Sequence, residues 1–177
     1  DVYPEYSGTI EQEILKSDRK LSYKEIQEKV RHLGLLFLDS FGFNDTYALG
    51  VTNDTARKHG LKNISDLKGK SLRLVFSHEF LERKDGWKSL KNTYGLHQQP
   101  TGISHTLAYD ALKYEKAEIM DVYSTDAKIK TYGFKILTDN LGFFPIYQAA
   151  PFARERHDSD WIKVLNLLKD KISENEM

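Results

Sequence analysis

The chain has 177 residues, 26 Lys and Arg against 26 Asp and Glu, and 40% hydrophobic content, enough for a sizeable buried core in one domain or slightly more. A net charge of zero supplies no basic stripe of the kind that binds nucleic acid or an anionic membrane by displacing counterions. The absence of cysteine excludes a disulfide framework, a zinc ribbon and a thiol nucleophile.

The chain opens Asp1-Val2-Tyr3-Pro4 without an initiator Met, signal peptide or lipidation signal, so an earlier segment is expected to have been removed. Ser22-Tyr23-Lys24-Glu25 is a capping-box pattern, and Ile26, Val30 and Leu33 follow at helical spacing, which predicts an amphipathic helix over 23–33. Residues 35–46 read as an extended, glycine-punctuated connection. The longest apolar run, Leu33 to Phe43, is interrupted by Gly34, Asp39, Ser40 and Gly42, and nothing approaches the roughly 20 residues of a spanning helix. Tyr47 to Val51 predicts a buried strand, Asp54 to His59 a capped helix ending at Gly60, and Ser65 to Gly69 a single helical turn. A second strand is expected over 72–76 and a helix over 86–94, with Trp87, Leu90 and Tyr94 on one face and Gly95 as its stop. Ser104 to Lys116 predicts a helix leading into a strand at 118–123. A helix near 125–131, a strand near 134–137 and a last helix over 160–172 complete the chain. This alternation predicts an α/β fold with a mostly parallel central sheet, in which ligands collect at the carboxyl ends of strands. Asp1-Val2-Tyr3 recurs as Asp121-Val122-Tyr123, an echo that either is chance or marks the tail of a second, similar lobe.

Enzymatic patterns are poor. His78-Glu79 lacks the second histidine of a helical zinc site, and neither a Gly-x-Ser-x-Gly elbow, a Walker loop nor a GxGxxG turn occurs. His32, His59, His97 and His157 sit beside charged or turn residues and read as solvated; His105 reads as a helix-surface or capping residue. No pattern asks for a metal or cofactor.

The chain carries ten Tyr against two Trp and two Met. Tyr6, Tyr47, Tyr123 and Tyr147 all fall at strand ends or connections, where side chains can converge. Several aromatic faces around one point form a cage for a cation that cannot donate hydrogen bonds, each face contributing about 0.5 to 2 kcal/mol. Arg83 has the planar fork suited to a carboxylate, and Thr9 offers a hydroxyl. Taken singly, each is an ordinary packing or solvated residue; the combination carries the reading.

The ordered segments DVYPEYSGT, FNDTYALGVTNDTA, ISDLKG, EFLERKDGWKSLKNTYG, LAYDALKYEKAEIMDVYSTDAKI and LTDNLGFFPIYQAAPFAR resemble the substrate-binding proteins of ABC importers for glycine betaine, carnitine and choline. The resemblance runs from Asp1 to about Arg154. It implies a type II periplasmic-binding-protein-like lobe plus part of the other lobe: residues 1–45 a remnant of lobe I and the approach to the hinge, 46–150 lobe II, and 151–177 the return toward lobe I. It implies a monomeric, non-enzymatic protein on the extracytoplasmic side of the membrane, working with an ABC permease, without cofactor or nucleic acid. The family's aromatic box falls on Tyr6, Tyr47, Tyr123 and Tyr147, its carboxylate-binding arginine on Arg83 and its threonine donor on Thr9. Departures are Ser7 in place of the threonine of the usual YTGT, Asp139-Asn140 where paired acids are common, and the missing strand before YPEY. Arg83 and Thr9 favour a ligand with a carboxylate over choline. Alternative readings are a ligand-sensing clamshell of a receptor and a binding lobe for a different small polar solute.

Overall fold

Ser22 and Glu25 close on each other as their spacing predicts. In the computed structural model, which describes residues 2–155, 160–174 and 176–177, the Glu25 backbone N–H donates to Ser22 Oγ at 3.3 Å and the Ser22 N–H to Glu25 Oε2 at 2.8 Å. The pair thus satisfies two donors that the start of a helix leaves without partners. His157, for which a solvated role is expected, lies outside the described residues, as does Asp1.

The chain divides into two compact units, Asp1–Thr46 with Pro145–Met177, and Tyr47–Phe144. In the first, β1 (Val2–Tyr6) and β2 (Leu35–Phe37) flank β8 (Ala149–Arg154) in an antiparallel sheet. Helix α1 (Ser7–Thr9) runs straight into a π-helical turn at Ile10–Ile14. The capped helix α2 (Tyr23–Arg31) lays Ile26 and Val30 against Ile10, Leu21, Phe37, Ala150 and Phe152. Two expectations change here: residues 35–46 contain a short strand, and the last helix, α8 (Asp160–Asn166), ends before 172.

The second unit holds a five-stranded sheet built from β3 (Tyr47–Thr52), β4 (Leu74–Ser77), β5 (Thr101–Ile103), β6 (Ile119–Tyr123) and β7 (Phe134–Leu137), in the order β5-β4-β6-β3-β7. Strand β4 is parallel to β5 and β6, while β3 runs antiparallel to both β6 and β7. Four strands therefore share a direction and β3 opposes them, the mixed form of the mostly parallel sheet.

Alternate residues of these strands face opposite sides, the period of a pleated strand. Leu49, Val51, Leu74, Phe76 and Ile119 enter one core with Ala56 of α3 (Asn53–His59), Ile64 and Leu67 of a 3-10 turn, Phe80 of α4 (His78–Glu82) and Leu90 of α5 (Trp87–Tyr94). Ala48, Val75, Met120 and Val122 enter the other with Ala108, Tyr109 and Leu112 of α6 (His105–Lys113). A sheet covered on both faces presents its strand ends to solvent and ligand. The remaining helix, α7 (Ala127–Tyr132), follows β6 and ends at Gly133 in the left-handed conformation. No helix among the described residues is long and apolar enough to cross a membrane.

Candidate ligand-binding site

Tyr47 begins β3 and Tyr123 ends β6, and the antiparallel register sets them directly opposite each other. Opposed residues on one sheet face approach closely enough for their side chains to pack. Their ring centroids are 5.0 Å apart at an interplanar angle of 38°. Phe80 of α4 packs on Tyr47 at 5.2 Å.

Strand β4 runs parallel to β6, so its end delivers α4 to the same edge of the sheet. Ser77 makes that junction: its hydroxyl donates to Asp121 Oδ2 at 2.6 Å and accepts from the Phe80 N–H at 3.1 Å, while its backbone N–H donates to Asp121 Oδ1 at 2.7 Å. Glu79, in the first turn of the helix so capped, accepts from the Tyr47 hydroxyl at 2.9 Å and from the Tyr123 hydroxyl at 3.2 Å. The two phenols are 3.4 Å apart. Burial first, then the hydrogen bond to Tyr123 and the Glu79 carboxylate, drives the Tyr47 pKa well above the phenol range, and burial raises that of Tyr123. Both rings are therefore neutral hydrogen-bond donors at physiological pH.

Arg83 belongs to the same cluster, though its fork is occupied within the protein. Its Nε donates to Asp85 Oδ1 at 2.8 Å and its Nη2 to Asp85 Oδ2 at 3.2 Å, Nη1 lies 3.6 Å from Glu79 Oε1, and the guanidinium stands 5.5 Å above the Tyr47 ring. The tight turn after α4 makes this possible: a Cβ on Gly86 would sit 1.9 Å from the Phe80 carbonyl oxygen, so only glycine fits there. A ligand carboxylate at Arg83 would share these donors with Asp85.

Behind Tyr123 lies His105, which opens α6. Its ring centroid is 5.2 Å from that of Tyr123, its Nε2 is 2.9 Å from Asp126 Oδ2, and its Nδ1 is 3.7 Å from Asp121 Oδ2. Asp126 also accepts from the Tyr109 hydroxyl at 2.8 Å and from the Tyr123 backbone N–H at 3.0 Å. Asp121 is fully buried. Asp121, then Asp126, push the His105 pKa up to about 9 against the effect of burial. His105 is thus a half-buried imidazolium hydrogen-bonded to Asp126, with Nδ1 facing Asp121 but without a hydrogen-bond partner among the described residues, and the expected helix-surface or capping role is corrected. Among the described residues no group of three or more His, Asp or Glu side chains is arranged to hold a metal ion.

Tyr6, Thr9 and Tyr147 belong to the first unit. Tyr6 ends β1 opposite Ala149, and Thr9 closes α1. Burial, then Asp45, raises the Tyr6 pKa. Tyr147 is buried, its N–H donating to Asn44 Oδ1 at 2.6 Å and its carbonyl accepting from the Asp45 N–H at 3.0 Å. A Cβ on Gly8 would lie 2.5 Å from Tyr147 Cε1, so the ring lies against bare backbone. Ser7 donates to the Ile146 carbonyl at 2.8 Å and accepts from the Gln148 N–H at 2.9 Å. A hydroxyl at position 7 thus serves the backbone of residues 146–148 as both donor and acceptor.

A family model described as the substrate binding domain of ABC-type glycine betaine transport system matches residues 1–177. The chain belongs to that family. It is 33% identical over 186 aligned residues to the ergothioneine transport permease/ergothioneine binding protein EgtU of Helicobacter pylori, covering 100% of this chain and 34% of that protein. It is 35% identical over 150 residues to the carnitine transport binding protein OpuCC of Listeria monocytogenes, covering 80% of this chain and 48% of the other. A solved glycine betaine/carnitine/choline ABC transporter structure superposes with a TM-score of 0.80 at 34% identity, over 98% of this chain and 68% of that one. The chain thus spans between a third and a half of these curated relatives. Members of the family are transport solute-binding proteins with an α/β fold, not a class of enzymes. Glu79, absent from the residues singled out by sequence, is held between Tyr47 and Tyr123; no local pattern marks it, since α4 is five residues long and ends at Glu82, before Arg83.

Proposed function

We propose that the chain is part of an extracytoplasmic solute-binding protein of an ABC importer, and that its ligand carries a quaternary ammonium group. The observation that carries this reading is the Tyr47–Tyr123 ring pair at the carboxyl end of β6, with a carboxylate, Glu79, bonded to both hydroxyls. A methylated ammonium offers no N–H to a hydrogen-bonding site. It is held instead by the negative faces of aromatic rings and by nearby negative charge. A phenol that donates to a carboxylate gains electron density in its ring, which strengthens its hold on a cation.

Tyr123 supplies the outer aromatic surface and the largely buried Tyr47 its inner edge, Glu79 supplies charge, and Arg83 orders Tyr47 and Glu79. Tyr6, Thr9 and Tyr147 are proposed as further ligand contacts, in keeping with the resemblance. The protein acts as a monomer with a membrane permease, has no chemistry of its own and needs no cofactor. The relatives described as binding glycine betaine or carnitine support this ligand class. A thermal-shift screen of glycine betaine, choline, carnitine, proline and sugars checks it: the quaternary ammonium compounds should raise Tm and the others should not. Stabilisation by a sugar or proline alone would contradict the reading.

A further inference from the structure

Two kinds of quaternary ammonium ligand differ in net charge. A choline-like compound has a net charge of +1, whereas a betaine carries its own carboxylate a few atoms from the ammonium. A protein carboxylate beside the ammonium attracts the first outright. With the second, attraction to the nitrogen is offset by repulsion of the ligand's carboxylate, because Coulomb interactions decay slowly over such distances at a partly desolvated site.

Around Tyr123 carboxylates outnumber cations. Glu79 bonds to its hydroxyl, and the Glu79 side chain remains 57% exposed, so its charge faces whatever occupies the edge of the sheet. Arg83, whose Nη1 lies 3.6 Å from Glu79 Oε1, donates at the same time to both oxygens of Asp85. Behind the ring, His105 stands between Asp121 and Asp126. With the Lys128 ammonium, which lies 5.2 Å from the Tyr109 ring, three cations, Arg83, His105 and Lys128, are thus set among four carboxylates, Glu79, Asp85, Asp121 and Asp126. The surroundings of the ring are net negative even though the whole chain is neutral.

We propose that Glu79 is the specificity-determining residue of this site and weights it toward a small quaternary ammonium alcohol of net positive charge, against zwitterionic betaines. The proposal rests on the ligand-binding reading above and deepens it. Glu79 acts in two ways, by its charge and by fixing the Tyr47 and Tyr123 hydroxyls, and two variants separate them. Glu79→Gln keeps an oxygen for the phenols and removes the charge; Glu79→Asp keeps the charge on a shorter arm.

Calorimetric titration of the full-length protein with choline and with glycine betaine reads the proposal directly. In Glu79→Gln, choline should bind about tenfold more weakly while glycine betaine changes less than about threefold, and Glu79→Asp should retain most of the wild-type preference. Equal weakening of both ligands in Glu79→Gln, or no change in either, would overturn the role of Glu79 while leaving the aromatic site in place. A wild-type protein that binds neither ligand would overturn the ligand-binding reading and this proposal together. Far-ultraviolet circular dichroism of each variant confirms that the fold is kept, as expected for an exposed side chain.

Discussion

Tyr47 and Tyr123 differ in how much of each ring is still available. Tyr47 is 4% exposed, with Phe80 on its ring and the Arg83 guanidinium above it, so it is largely committed to the protein. Tyr123 is only partly buried and holds the outer position. Tyr123→Ala should therefore weaken quaternary-ammonium binding by more than about tenfold, or about 1.4 kcal/mol, within the range of a desolvated cation–π contact. Tyr123→Phe, which keeps the ring and loses only the bond to Glu79, should lose less. Titration of both variants checks this, and an unchanged affinity in Tyr123→Ala would remove that ring from the site. At this scale the sequence showed that tyrosines sit at strand ends. It could not show Glu79, 44 positions from Tyr123 in the chain, because their meeting depends on β4 and β6 ending at one edge of the sheet, where α4 begins. Nor could it show that Arg83 spends its fork on Asp85, since an Arg-x-Asp spacing reads as a solvated turn until Gly86 draws the backbone tight.

The elements that were legible are those with local signals: α2 with its capping box, α3, α5 and α7 with left-handed glycines at their ends, and β3 and β6 with their apolar runs. Strand β8 was not among them. It is central in its sheet yet carries Pro151 opposite Pro4 of β1, two residues that cannot donate to a ladder. Pro151 still accepts, from the Leu38 N–H at 3.0 Å, and long-range pairing overrides its poor propensity. Strand β5 is three residues long and helix α4 five, too short for a period to show. The start of α6 carries its own consequence. The folded pKa of His105 lies at about 9, above its ordinary value of 6.5, so its charged form is favoured by folding. That stabilisation is fully present below about pH 6.5 and is lost as pH rises through 9. In thermal melts from pH 6 to 10, His105→Gln should be destabilised by several degrees at the acid end, and the difference from wild type should shrink toward pH 10. A difference independent of pH would show that packing, and not charge, is what His105 contributes.

For the molecule as a whole, neutrality and the lack of cysteine excluded whole classes of function without indicating a positive one. The division into two compact units, the first of them assembled from chain segments far apart in sequence, has no local signature. The α/β character was legible because helices and strands alternate, whereas the reversal of β3 was not, because the direction of a strand leaves no trace in its own residues. That reversal places Tyr47 against Tyr123 and so creates the ring pair on which the proposed site rests. The most direct measurement is calorimetric titration of the full-length protein with glycine betaine and, in parallel, with glycine, which has the same carboxylate and no methyl groups. Glycine betaine should bind saturably and at least about a hundredfold tighter than glycine, because an aromatic surface rewards a methylated cation over a primary ammonium, which gives up strong hydration to enter the site. Equal affinity for the two, or binding of glycine alone, would contradict a site built on the Tyr47–Tyr123 pair.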